Sequence, residues 1–309
     1  MLNFQPITLG IKELVESYTF KYGEGSCQHS FVSSWCLRHK YGDEFCEHEG
    51  FLYTLRSRKC SGDERVYLFP HEDRTNTDAL RTALQNVLDD AHKHSSRVKF
   101  ETLTQDAKDI VCSLFPGKFE AEAVRDYSEY VYSVDKLKKL PGMKFKAERN
   151  CIHQFFRDYK GRYEIRKISP EHIDMLREFQ AKWLAEKITA EDNSTYQHYL
   201  LLDDETVQTA FDDYFALGLS GIVIFIDGAL AGYAFGSHLS DSVFDTIAEK
   251  GSRSIRDIYL ILKRGLLTMC CEGCKYFNYE EDIGVEGLRM MKMKFKPEHL
   301  MTKFILTEK

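Results

Sequence analysis

Asp227-Gly228 separates two apolar runs, residues 221–226 and 230–236, and no other feature restricts the fold of this chain as much. Two residues that tolerate positive φ, set between runs rich in Ile, Val, Phe and Tyr, predict a tight hairpin. Downstream, residues 242–248 read as a third strand. Ile255, Ile258, Tyr259, Leu262, Leu266 and Met269 then share one helical face. A strand at 276–282, a helix at 285–294 and a last strand at 300–306 are expected to complete this half. Upstream, 163–168 reads as a strand. Ser169-Pro170-Glu171 opens a helix to about Glu186, with a cap, a proline at the first position and an acid near the dipole. Residues 189–195 are polar and read as a loop, and 205–217 as a helix.

The first half has a comparable order. Strands are expected at 51–56 and 65–69. A helix follows with Leu80, Leu84, Val87, Leu88 and Ala91 on one face and Thr77 as its cap. Residues 98–102 read as a strand, 105–114 as a helix, 129–132 as a strand and 144–157 as a basic amphipathic helix. Each half thus runs antiparallel strands, helix, strand, helix, strand. With 309 residues there is room for two domains. They are expected at 1–160 and 161–309, with the break near Gly161.

Hydrophobic residues at 43% and charged residues at 29% exclude wholesale disorder. No apolar run approaches about 18 residues, so a spanning helix is not expected. The opening Met-Leu-Asn-Phe-Gln-Pro-Ile-Thr lacks the basic start and apolar core of a signal peptide. Nine cysteines without framework spacing suit a reducing, cytoplasmic setting. The net charge of −6 conceals a basic island. Residues 136–162 carry nine Lys or Arg against Glu148 and Asp158. Such a chain is a poor general coat for nucleic acid but can grip one polyanion at one place. A solvated charged helix or linker between domains is the account that composition alone favours.

Residues 278–296 concentrate the chemistry. On an extended strand Asn278, Glu280 and Asp282 share one side, and Tyr279 and Glu281 the other. A glycine turn follows, then a helix with Arg289, Lys292 and Lys296 on one face and Leu288, Met291 and Phe295 on another. Acids, turn amides and a basic face meet within this stretch, a combination that can hold an anion or polarise a carbonyl. A charged strand end followed by an ordinary amphipathic helix is the plainer account.

Cys271-Glu272-Gly273-Cys274, preceded by Cys270, has no second pair and no histidine spacing, so no metal site is expected. It closes a helix where a redox motif would open one. His92 and His94 sit at a helix end that suits positive charge. There is no G-x-S-x-G, Walker loop or H-E-x-x-H, which argues against the common hydrolases, NTPases and metalloproteases.

The chain resembles the bacterial proteins related to the C-terminal domain of phosphatidylglycerol lysyltransferase. The resemblance is carried by residues 278–289 (Asn-Tyr-Glu-Glu-Asp-Ile-Gly-Val-Glu-Gly-Leu-Arg), then Lys292 and Phe295-Lys296-Pro297. Tyr130-Val131-Tyr132-Ser133 and residues 140–150, ending in Arg149-Asn150, add to it, with a fainter echo in Ser30-Phe31 and Trp35. It implies an α/β fold of two tandem GNAT-like (N-acetyltransferase-like) domains with mixed, largely antiparallel sheets. Fem-type peptidoglycan aminoacyltransferases are more distant relatives. It also implies acyl transfer, with aminoacyl-tRNA as donor and a small-molecule, lipid-headgroup or peptide acceptor. Acyl-CoA is the other donor to weigh, although residues 252–256 are not the glycine-rich pyrophosphate loop of acetyl-CoA enzymes. A non-catalytic binding protein on the same scaffold is a third reading.

Ester acyl transfer needs a base and oxyanion donors. The resemblance makes Glu281 and Asp282 the catalytic candidates, and the backbone amides of 283–285 the donors. Asn278, Glu280, Arg289 and Lys292 are candidate substrate contacts. Lys144, Lys146, Arg149 and Asn150 are the candidate phosphate contacts, and capping of the connecting helix is their alternative role. One of the three acids pairing with Arg289 is the structural alternative for the acidic segment.

Overall fold

The computed structural model describes residues 2–72, 75–191 and 193–309. Among them the strands run β1 Gln5–Pro6, β2 Asp43–His48, β3 Phe51–Arg56, β4 Glu64–Tyr67, β5 Arg97–Leu103 and β6 Phe119–Ser133. They continue as β7 Tyr163–Lys167, β8 Ser220–Ile226, β9 Ala229–Ser240, β10 Val243–Gly251, β11 Tyr276–Asn278 and β12 His299–Glu308. The chain packs into two compact units. One holds residues through Val131 together with 280–309, and the other holds residues 132–279.

The first unit's sheet has the order β1-β2-β3-β4-β5-β12-β6. All neighbours are antiparallel except β4 and β5. A parallel pair needs a crossover, supplied here by the helix Thr77–Lys93. The apolar face anticipated from its periodicity is buried against Tyr53, Tyr67, Phe100 and Leu306. Its cap is Asn76, whose side chain accepts from Ala79 N, and Thr77 is the first helical residue. The single-residue offset reflects two adjacent residues that can both cap.

The second unit's sheet has the order β11-β10-β9-β8-β7. Its single parallel pair is β10 with β11, bridged by the helix Ile258–Cys270. Asp227 and Gly228 form the two-residue turn of the β8–β9 hairpin, with φ of 51° and 78° and Ile226 opposite Ala229. Both positions are left-handed, as such a turn demands. Each unit is a mixed, largely antiparallel α/β layer, the GNAT-like class expected.

Packing divides the chain elsewhere than near Gly161. Residues 132–160, with the helix Lys146–Asp158, lie in the second unit. Residues 280–309 return to the first, where β12 sits between β5 and β6. Several bounds also differ. β6 starts ten residues before the expected 129, because its outward residues 120–123 are Glu and Ala and give no β signal. The helix expected at 205–217 is Ser194–Asp212, capped by Asn193, which shortens the polar loop; Asp192 within that loop lies outside the described residues. Among the described residues no helix is long and apolar enough to cross a membrane.

Candidate functional site

The acidic segment does not continue β11 as a strand. β11 ends at Asn278, which is fully buried in register with Asp245 of β10 in the second unit. The chain then turns within the first unit. Glu280 and Ile283 take φ of 52° and 47°, followed by Gly284 at 78°. A left-handed β-branched residue is uncommon and costs about 1–3 kcal/mol. Main-chain bonds hold the turn: Tyr130 N donates to Glu280 O at 3.1 Å and Ile283 N to Asp126 O at 3.1 Å. Gly284 takes the left-handed backbone without strain, and a Cβ there would lie 2.8 Å from Asp126 Oδ2, so a larger residue would push that side chain aside.

Asp282 is fully buried and surrounded by donors. Arg289 Nε and Nη2 donate at 3.0 and 2.8 Å, Tyr130 Oη at 2.5 Å, Arg125 Nη1 at 3.1 Å and Gly284 N at 3.0 Å. Burial alone would raise its pKa, but the donors from Arg289, Tyr130 and Gly284 outweigh it and hold the carboxyl at about 2. A carboxylate so stabilised is a poor base at neutral pH, and its oxygens are taken up within the protein. Arg289 also binds Asp126 at 2.7 Å, so this expected substrate contact is engaged within the protein. The amides expected to serve an oxyanion are engaged too. Ile283 N bonds Asp126 O, Gly284 N bonds Asp282 Oδ1, and Val285 N bonds Asp282 O at 2.9 Å.

Glu281 is placed differently. Half-buried, it lines a small pocket in the first unit with Glu280, Cys27, Tyr41, Asp43 and Arg56. Cys27 Sγ lies 3.9 Å from Glu281 Oε2. The buried Lys292 donates to Glu281 O at 2.5 Å, pinning the main chain behind the carboxylate. Burial lowers the Lys292 pKa against the pull of Glu280 and Glu281. In the same pocket Arg56 is almost fully buried, 3.6 Å from Asp43 Oδ1 and 3.4 Å from Glu101 Oε2, with its guanidinium 4.2 Å from the Tyr41 ring centroid. Burial pushes the Tyr41 phenol upward, which keeps it a neutral O–H donor.

Cys27 is itself held. Its N–H donates to Glu129 Oε2 at 3.1 Å, and Glu129 pairs at 2.8 Å with the wholly buried Lys303 of β12. Cys27, Tyr41, Asp43 and Arg56 were not anticipated. The available signal was an arginine closing an otherwise apolar run at 51–56, a position where a charge must be paired.

The expected phosphate contacts fall in the second unit. Lys144, Lys146 and Asn150 are exposed there. Arg149 instead donates to Leu140 O and, at 2.7 Å, to Gly142 O, closing the turn before the helix Lys146–Asp158. These bonds are the ones its alternative capping role calls for.

The fold defines a mixed, largely antiparallel α/β protein of two units. The family model described as Phosphatidylglycerol lysyltransferase, C-terminal, matches residues 19–307, and the chain belongs to that family. A crystal structure of a conserved protein of unknown function from Bacteroides thetaiotaomicron VPI-5482 is similar over 100% of both chains, at 25% identity and TM-score 0.90. L-PGS from Bacillus licheniformis shares the fold, with TM-score 0.63 and 14% identity over 96% of this chain and 91% of that one. Comparison with the curated proteins finds no match.

Proposed function

We propose that this protein transfers an aminoacyl group from charged tRNA to a small-molecule, lipid-headgroup or peptide acceptor in the cytoplasm. The observation that carries the reading is the contrast between adjacent acids: Asp282 is saturated with donors, while the Glu281 carboxylate faces a pocket. Glu281 takes the proton from the attacking group as it adds to the ester carbon, and returns it to the ribose oxygen of the tRNA, which leaves as the acyl C–O bond breaks. Tyr41 and Arg56 supply the hydroxyl and positive charge that a developing oxyanion needs. Asp282 and Arg289 act as positioning residues for the turn, and Lys292 fixes Glu281. Glu280 contacts the acceptor. Lys144, Lys146 and Asn150 contact donor phosphates.

Membership of the lysyltransferase family supports the reaction class, and the exposed lysines support a polyanionic donor. The test is binding of an aminoacyl-tRNA pool across a salt series, for wild type and Lys144→Ala/Lys146→Ala. The proposal expects a steep salt slope that the variant reduces by about 2. No binding at low salt would sink the tRNA donor and leave acyl-CoA or an uncatalysed binding role to be tested.

A further inference from the structure

In the first unit the long strand β6 leaves part of one edge open. Its residues 119–124 pair with β12, from Phe119 opposite Glu308 to Val124 opposite Lys303. Lys309 N donates to Lys118 O at 3.0 Å, which sets the alternation: the backbone groups of Lys118, Glu120, Glu122 and Val124 point to β12. Those of Phe119, Ala121 and Ala123 therefore point the other way, where no strand pairs with them among the described residues. Residues 120–123 are all exposed. Further along, the 280–284 turn takes up the same strand: Ile283 N donates to Asp126 O, and Tyr130 N donates to Glu280 O.

An open edge is a template for one more strand, and its side chains decide which. Glu120 and Glu122 stand on one face, opposite Thr307 and Ile305, and neither forms an ion pair among the described residues. The neighbouring charges are engaged: Lys118 with Glu308 at 3.3 Å, Arg125 with Asp282 at 3.1 Å and Asp126 with Arg289 at 2.7 Å. On the other face Ala121 and Ala123 stand opposite Leu306 and Phe304 of the core cluster, so small side chains leave the rim of that core uncovered. A strand laid along this edge alternates its side chains over the same two faces. Basic residues at every second position meet Glu120 and Glu122, and apolar residues between them cover the alanines. A second copy of β6 would set these glutamates against each other, which disfavours self-pairing.

We propose that the β6 edge at 119–125 is a docking surface for an extended basic segment of a partner protein, bound by strand addition with Glu120 and Glu122 facing its cations. The surface stands independently of the role assigned to Glu281.

The test follows the fluorescence anisotropy of a labelled peptide of alternating lysine and valine as the full chain is added at low salt. Its controls are the same peptide N-methylated throughout, a peptide with the lysines and valines in separate blocks, and one of alternating glutamate and valine. The alternating basic peptide is expected to bind, and each control to bind at least about tenfold more weakly. Ala121→Pro removes an outward N–H without touching a bond to β12, and Glu120→Gln/Glu122→Gln removes the surface charge. Each should weaken binding about tenfold. Thermal melting checks folding. If Ala121→Pro does not fold, the glutamine variant and the N-methylated peptide decide the matter. No binding of the basic peptide, equal binding of the N-methylated or block peptide, or unchanged binding in folded variants overturns the inference. So does a dimer in sedimentation that folded Ala121→Pro abolishes, which would assign the edge to a second copy.

Discussion

Arg289 grips Asp282 side-on, with Nε donating to Oδ2 at 3.0 Å and Nη2 to Oδ1 at 2.8 Å. Two parallel bonds fix the carboxylate plane as well as its position. Tyr130 and Arg125 complete the ring of donors from β6, and Asp126 holds the far side of Arg289. The turn between them is the one that presents Glu281 to its pocket.

Asp282→Asn should therefore act on stability. Removing one partner of a buried pair costs about 3–5 kcal/mol where the remaining charge stays buried. Here the Arg125 and Arg289 side chains are 41% and 35% exposed and can regain water. A loss of about 2–3 kcal/mol is expected, read as a lower urea midpoint.

The same carboxylate gives a pH signature. Its folded pKa of about 2 lies below the ordinary 3.8, so above pH 4 both states are ionised and the full contribution is present. As pH falls from about 4 to 2 the unfolded chain binds a proton that the folded chain does not, and about 2 kcal/mol is lost. Urea unfolding of wild type across this window should show the decline, and Asp282→Asn should show a correspondingly smaller one. Equal declines in both would remove Asp282 as the cause.

Gly284→Ala combines an unfavourable positive φ with a methyl 2.8 Å from Asp126 Oδ2. A loss of about 1–3 kcal/mol is expected, with part of it regained when Asp126→Ala is added. The double-mutant cycle separates the steric share from the backbone share.

What the sequence revealed was local. The Asp227-Gly228 hairpin and the Thr77–Lys93 helix follow from neighbours along the chain, and both are present. β6 was read only in its last residues, because its partner β12 is distant in sequence and its outward positions carry Glu, Ala and Arg. The acidic segment was recognisable, but which acid is locked was not. Tyr130 and Arg125, which distinguish Asp282 from Glu281, arrive from another strand. For the same reason Arg56 and Tyr41 joined the site only once β3 and the N-terminal helices were folded around it.

The central claim is that Glu281 performs chemistry while Asp282 performs positioning. It is tested most directly by transfer of a labelled amino acid from charged tRNA to a panel of small amines, lipid headgroups and peptides, comparing wild type with Glu281→Gln. The account predicts transfer to at least one acceptor by wild type, and a rate lower by about 10²–10⁴-fold in the variant, as expected for loss of a general base. It also predicts a melting temperature close to wild type, since the half-buried Glu281 carboxylate is reached by Cys27 Sγ only at a long 3.9 Å. Undiminished transfer by folded Glu281→Gln would contradict it.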